Sequence, residues 1–257
     1  MVGARWSAIL VVENENGVGE RCSAAQAIAV PRFNEPRPAA GTIRLMAEYT
    51  LYCFAQSGNA YKAALMLNLC GADWQPRFVD FFNGETRTPA YRESVNEMGE
   101  APVLEHGGRR LAQSGVILDY LACAFGKFGW SSEDERREIL RWLLWDNHKL
   151  TSYIATLRYM LQFAKEPDAG AVAFLRGRVT GSLGILDKHL AAQSCAVGNR
   201  LTIADVSMCG YLYWPDEFGV SWNVYPNVAA WLARIKALPG WVHPYELMPG
   251  HPLPEKR

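Results

Sequence analysis

No two of the six cysteines form a Cys-x-x-Cys pair; they stand apart at Cys22, Cys53, Cys70, Cys123, Cys195 and Cys209. That scatter argues against a zinc site or a disulfide framework and fits reduced thiols in a cytoplasmic protein. Long apolar runs are missing as well, and none approaches the roughly 18 residues that a membrane-spanning helix needs. The apolar segment 6–12 follows Arg5, but it is short and Glu13 and Glu15 come directly after it, which argues against a secretory signal. Excess charge of either sign is absent: 26 Lys and Arg balance 26 Asp and Glu. Without a long basic run there is no electrostatic argument for nucleic acid or an anionic membrane. The expected partners are a small molecule or another protein. There is no internal repeat.

What is present is an ordinary globular composition, 49% hydrophobic over 257 residues, with enough apolar material for a core. Residues 1–45 read differently from the rest. They hold Asn14-Glu15-Asn16-Gly17 and a Pro-rich stretch over 31–38, with no sustained period, and are expected to be a loose or artefactual extension, with Met46 a candidate start. From Met46 the pattern becomes regular. An aromatic-rich strand over 49–54 leads through Ala55-Gln56-Ser57-Gly58-Asn59 into a helix over 60–70, stopped by Gly71. A second strand is predicted over 77–82, and Thr88-Pro89 opens a short helix. Val103-Leu104 and Arg110-Leu111-Ala112 flank a Gly107-Gly108 turn, and Ser114 is placed as the cap of a helix reaching Phe125. The order is βαβαββα, with the first two strands parallel and the final hairpin antiparallel. Beyond a linker over 126–130, residues 131–257 read as all-helical. A capping box at Ser131 and Asp134 opens one long helix to Phe163, a second runs from Pro167-Asp168 to Gln193, and Thr202 to Asp205 forms another box. A last helix starts at Asn227, and the Pro-rich tail over 244–257 is expected to wrap the surface.

Three local signals carry chemistry. Ser57, Gly58 and Asn59 open the first helix, where free N–H groups and the helix dipole favour negative charge. A hydroxyl there can hold a thiolate, the reactive form of a thiol whose ordinary pKa is near 8.5. Proline at the head of the third strand, Pro102, suits a first strand position. A cis bond after Ala101 would turn the Ala101 N–H and C=O outward, to pair with an extended peptide. Gln113-Ser114 precedes a helix whose N-terminus can hold a carboxylate. Each signal also has a plain structural reading: Ser57 and Ser114 as caps only, and Pro102 as an ordinary edge proline.

Taken together these segments resemble the bacterial glutathione S-transferases of the Ser-Gly-Asn active-site type. Leu51-Tyr52 with Ser57-Gly58-Asn59-Ala60-Tyr61-Lys62 resembles that family's opening. Asn96-Glu97-Met98-Gly99-Glu100-Ala101-Pro102-Val103-Leu104 is similar to its N-P-x-G-x-V-P-x-L stretch, and Gln113-Ser114 with Ile117 to Leu121 to its E/Q-S-x-x-I-x-x-Y-L segment. Gly198 to Asp205 resembles its G-x-x-x-[ST]-x-A-D motif. Tyr225-Pro226-Asn227-Val228, Trp231 and Pro239-Gly240-Trp241 fit as well. The resemblance covers residues 46–252, and four motifs in order are far more specific than one. Met98 and Ala101 depart from it, standing where the family has proline and valine.

The resemblance implies an α/β thioredoxin-like domain over 46–125 and an all-α domain over 131–257, acting as a cytoplasmic homodimer in detoxification. Glutathione would be the co-substrate, with no metal. Ser57 would stabilise its thiolate, Asn59 would share or replace that task, Ala101 would pair with its cysteinyl backbone beside a cis Pro102, and Gln113 and Ser114 would hold its γ-glutamyl end. Arg87 is the candidate for the glycyl carboxylate. Trp145, His148, Tyr153 and Tyr159 are candidates for a second-substrate cleft, with Trp142 and Trp145 better read as core; His148 is the member of the set best suited to face the cleft, although a satisfied structural histidine is the commoner reading. The activity implied is conjugation of the glutathione thiolate to an electrophilic apolar substrate. The alternatives are a glutathione-dependent disulfide oxidoreductase or peroxidase resting on Asn59, or a non-catalytic glutathione-binding relative. Cys53 reads as a small buried apolar residue.

Overall fold

The computed structural model describes residues 47–253; the extension expected over 1–45 lies outside them. Strands β1 (Tyr49–Cys53), β2 (Trp74–Phe78), β3 (Val103–His106) and β4 (Arg109–Ala112) form one mixed sheet in the order β2-β1-β3-β4. β1 runs parallel to β2 and antiparallel to β3, and β3 and β4 form a hairpin. Its turn is Gly107-Gly108, with both φ angles positive, the conformation a two-residue hairpin turn demands. Helix α1 (Gly58–Cys70) makes the crossover from β1 to the parallel β2, α2 (Pro89–Ser94) follows the second strand, and α3 (Ser114–Phe125) follows the hairpin. This is the βαβαββα order read from the sequence.

The second strand lies earlier than expected, over Trp74–Phe78 rather than 77–82. Pro76 sits in its centre, opposite Leu51, and is tolerated because β2 is the sheet edge. After Phe78 the chain turns: the Asp80 carboxylate accepts from Asn83, and the Asp80 amide donates to Glu85.

The second half is helical: α4 (Glu133–Trp145), α5 (Thr151–Gln162), α6 (Ala169–Ala192), α7 (Ile203–Met208), α8 (Pro215–Phe218), α9 (Pro226–Lys236) and α10 (Pro244–Leu247). The cap of α4 is Ser132, not Ser131; Ser132 accepts from the Glu135 amide, while the Glu135 carboxylate accepts from Ser131. The one long helix expected to Phe163 is interrupted by a π turn over Asp146–Leu150. At α7 both arms of the Thr202–Asp205 box form. The buried Asp205 carboxylate also accepts from Ala196 N and Trp231 Nε1, tying α7 to α9.

Helix α1 is the hinge pin of the packing. It buries residues around nearly its whole circumference, from Ala60 to Leu67, as a helix covered on all sides must. On that apolar surface stands Lys62, fully buried. Its ammonium donates to Asp146 Oδ2 at 2.8 Å and Thr151 Oγ1 at 2.9 Å; Thr151 and Ser207 in turn donate to the same carboxylate. The four residues join the first half to the π turn and to α7.

Removing one member of a buried pair leaves the other charged and unpartnered. Lys62→Met is expected to lose about 3–5 kcal/mol in urea unfolding, with part of the loss recovered in Lys62→Met/Asp146→Leu. A Lys62→Met protein within about 1 kcal/mol of wild type would show that the pair does not anchor the halves.

Candidate functional site

The turn between β1 and α1 puts Ser57 at the N-cap of α1. Its Oγ accepts from the Ala60 amide at 3.1 Å, so its single proton is left to donate elsewhere. Three long-range contacts hold this turn. Arg158, buried in α5, donates to the Gln56 carbonyl at 2.6 Å, to Glu217 and to the Tyr245 hydroxyl, with its guanidinium 3.8 Å above the Trp214 ring. The tail does not simply wrap the surface: the Pro249 carbonyl accepts from Ala55 N at 2.7 Å and the Gly250 carbonyl from Gln56 Nε2 at 2.8 Å.

Ser57 opens on a cleft of about 440 Å³ that also takes in Asn59, Ala101, Pro102, Gln113 and Ser114. Six of the seven sequence-predicted site residues therefore meet in one place. The Ala101–Pro102 peptide is cis. Gln113, not Ser114, occupies the cap position of α3, with a left-handed φ of 67°, a conformation rare for a residue with a side chain. Ser114 is the first residue of the helix; its hydroxyl donates to Asn59 Oδ1 at 3.4 Å. The Gln113 amide donates to the Glu100 carboxylate at 2.8 Å, so an acid also stands on the rim of the cleft.

Arg87 is not part of this assembly. It is exposed at the end of the short turn Glu85–Arg87, and its guanidinium folds back over Gly84, where a Cβ would lie 2.9 Å away. No cation lines the 440 Å³ cleft; polar side chains of the second half, Asn147, Thr151 and Ser152, close it instead.

Beside it, and sharing Phe54, Ser57, Phe81, Ala155, Thr156 and Tyr211, lies an aromatic cleft of about 310 Å³. Phe54 stacks on Phe81 at 4.8 Å between centroids, and Phe82 packs on Phe163 at 5.0 Å. Of the four predicted second-substrate residues, only Tyr159 lines it. Trp142 is core, with Trp145 edge-on to it at 5.2 Å, and Tyr153 lies under Lys149. His148 is exposed and lines neither cleft. The π turn explains the difference: its extra residue shifts the register, so that 147, 151, 152, 155, 156 and 159 form the facing stripe. Sequence reasoning missed Tyr211, Arg158 and Glu100. The first two arrive from far along the chain with no local motif, whereas Glu100 sits inside the quoted stretch before Pro102.

No cysteine lines either cleft. Burial pushes the Cys53 thiol up to about 12, which makes it inert at neutral pH. Among the described residues no group of His, Cys, Asp and Glu is arranged to hold a metal ion, and no helix is long and apolar enough to cross a membrane. The expected result of brief iodoacetamide treatment of the folded protein, read by peptide mapping, is alkylation at exposed Cys123 and none at Cys53. Early labelling of Cys53 would contradict its burial.

Two family descriptions cover most of the chain. Residues 47–123 match "Glutathione S-transferase, N-terminal domain" and residues 148–239 match "Glutathione S-transferase, C-terminal domain". Glutathione S-transferase F14 of Arabidopsis thaliana is 28% identical over 226 residues, spanning 80% of this chain and 89% of that protein. A crystal structure of a possible glutathione S-transferase from Rhodopseudomonas palustris is 32% identical with a TM-score of 0.71, covering 76% of this chain and 89% of the other. A glutathione S-transferase structure from Pseudomonas fluorescens is 30% identical with a TM-score of 0.70, covering 76% and 98%. With both halves matched and relatives of this identity covered almost end to end, the chain belongs to the glutathione S-transferase family.

Proposed function

We propose that the protein conjugates glutathione to an electrophilic, apolar and aromatic small molecule. The observation that carries this reading is the junction of the two clefts at Ser57. One cleft is polar and sized for a tripeptide; the other is walled by Phe54, Phe81, Phe82, Tyr159 and Phe163. Glutathione lies extended in the polar cleft. Its cysteinyl backbone pairs with Ala101 beside Pro102, as a strand added at an edge. Its γ-glutamyl carboxylate meets Gln113, Ser114 and the first turn of α3, and Glu100 accepts from the γ-glutamyl ammonium.

The sulfur then rests at the first turn of α1. The thiol proton leaves to solvent, and the anion is held by the Ser57 hydroxyl and by the positive end of the helix. The thiolate attacks the electrophilic carbon: a C–S bond forms, and the leaving group departs with its bonding pair. Glutathione brings the nucleophile, so the protein supplies position and charge stabilisation. The same proposal includes a cytoplasmic homodimer. Val116 on α3 and Leu140 and Leu144 on α4 stay more than half exposed, on helices bridged by Arg136 and Asp119.

A second reading rests on Asn59. Its side chain lines the same cleft and is oriented by Ser114, so it can hold a sulfur in a glutathione-dependent disulfide exchange. Turnover with a chloronitrobenzene acceptor and with a glutathione disulfide, each paired with calorimetric glutathione binding, separates the two. Under the first reading Ser57→Ala keeps binding and loses about 10- to 100-fold in conjugation, the worth of one hydrogen bond to a charged group. Loss of disulfide reduction confined to Asn59→Ala would favour the second, and absence of glutathione binding in the wild type would sink both.

A further inference from the structure

Two glycines bring a tyrosine from the helical half onto the first turn of α1. A Cβ at Gly210 would stand 2.8 Å from the Gly58 carbonyl oxygen and 2.6 Å from Lys62 Cγ. The turn Cys209–Tyr211 can press on α1 only because that atom is missing. A Cβ at Gly58 would stand 2.2 Å from the Tyr211 ring, so the ring fills the space that any side chain at position 58 would take. Neither glycine has a positive φ; close approach, not backbone freedom, requires them.

The Tyr211 ring lies against Gly58, at the first turn of α1 where the amides of Asn59 and Gly58 and the Ser57 hydroxyl stand. The residue is 9% exposed and lines both clefts. Burial raises its pKa above the ordinary value; the Arg158 guanidinium, the two amides and the Ser57 hydroxyl oppose that rise without cancelling it. The phenol therefore keeps its proton at neutral pH and acts as a donor, not a base. The two amides are themselves donors and cannot take that proton. The acceptor it is built for is an anion at the same spot.

We propose that Tyr211 is a second catalytic hydroxyl: it donates a hydrogen bond to the glutathione thiolate beside Ser57, so that both halves of the chain share activation of the sulfur. This rests on the glutathione reading above. No bond to carbon or oxygen changes in the step; the thiol proton goes to solvent, and the phenol keeps its own.

The test is a pH titration of the ultraviolet thiolate absorbance of bound glutathione, beside calorimetric binding and thermal melting. Wild type comes first: binding without a thiolate band at neutral pH would overturn both the glutathione reading and this proposal. Tyr211→Phe keeps the ring on Gly58. It is expected to melt as wild type does and to bind glutathione as wild type does below the thiol's pKa, while the bound thiol's pKa rises by about one, the worth of a hydrogen bond to a charge, and binding above that pKa weakens to match. Conjugation at about pH 6.5 should fall about tenfold and recover as the pH passes the new pKa. Ser57→Ala/Tyr211→Phe should raise the pKa beyond either single variant. Placing 3-fluorotyrosine at 211, a stronger acid of nearly the same shape, should lower it. A thiol pKa unmoved by Tyr211→Phe, or by fluorotyrosine where Tyr211→Phe fails to fold, would reduce Tyr211 to a packing residue and overturn the proposal.

Discussion

The ion pair between Lys62 and Asp146 is the constraint on which the rest of the structure depends. An ammonium inside a helix buried nearly all round is tolerable only where a carboxylate and hydroxyls meet it, and Asp146, Thr151 and Ser207 supply them. Such a pair adds little over a well-packed apolar core. Its consequence is geometric. Asp146 must face α1, and the helix that carries it takes a π turn at that point. The register after the turn presents Asn147, Thr151, Ser152, Ala155 and Thr156 to the polar cleft. The character of the cleft wall thus follows from a charge buried below it.

A similar logic governs the turn that carries Ser57. Its backbone could be held by local capping alone, yet it is gripped from outside by Arg158 and by the carbonyls of Pro249 and Gly250. Arg158 is itself fixed by Glu217, Tyr245 and the Trp214 face. Such a grip limits the motion of the Ser57 hydroxyl, and under the proposed reading stabilisation by preset donors avoids reorganisation during the reaction. The aromatic cleft beside it is softer. Its rings pack on one another and leave Tyr159 half exposed, a surface able to accept flat apolar molecules of more than one shape.

The parts of the molecule readable from sequence are those whose signals are local. The Gly107-Gly108 hairpin, the Thr202–Asp205 box, the Ser57 cap and the Ala101–Pro102 strand start each sit within a few residues of their cause. The six predicted cleft residues lie in three short loops at one end of the sheet or in the helix turns that directly follow them, so the topology alone brings them together. The misplaced residues depend on distant contacts. The π turn answers to Lys62, some 84 positions away, and it removed His148 from the cleft. The second strand includes Pro76, which only its place at the sheet edge permits. Arg87 was chosen for charge alone, and nothing local announced that its side chain would fold over Gly84. Tyr211 and Arg158 carry no motif at all. Only the tight fit around Gly58 and Gly210 betrays the first, and only the buried guanidinium betrays the second.

The contact between the tail and the serine turn also has a temporal consequence. Chains emerge from the ribosome at about 5–20 residues per second, and domains tend to fold as they appear. The sheet and α1 can collapse early, but the amides of Ala55 and Gln56 receive their last partners only when Pro249 and Gly250 arrive. Until then the nascent first half has its Ser57 turn shaped but not clamped. The segment over 244–250 therefore completes the turn that carries Ser57: its grip on Ala55 and Gln56 becomes available only after the helical half has been made.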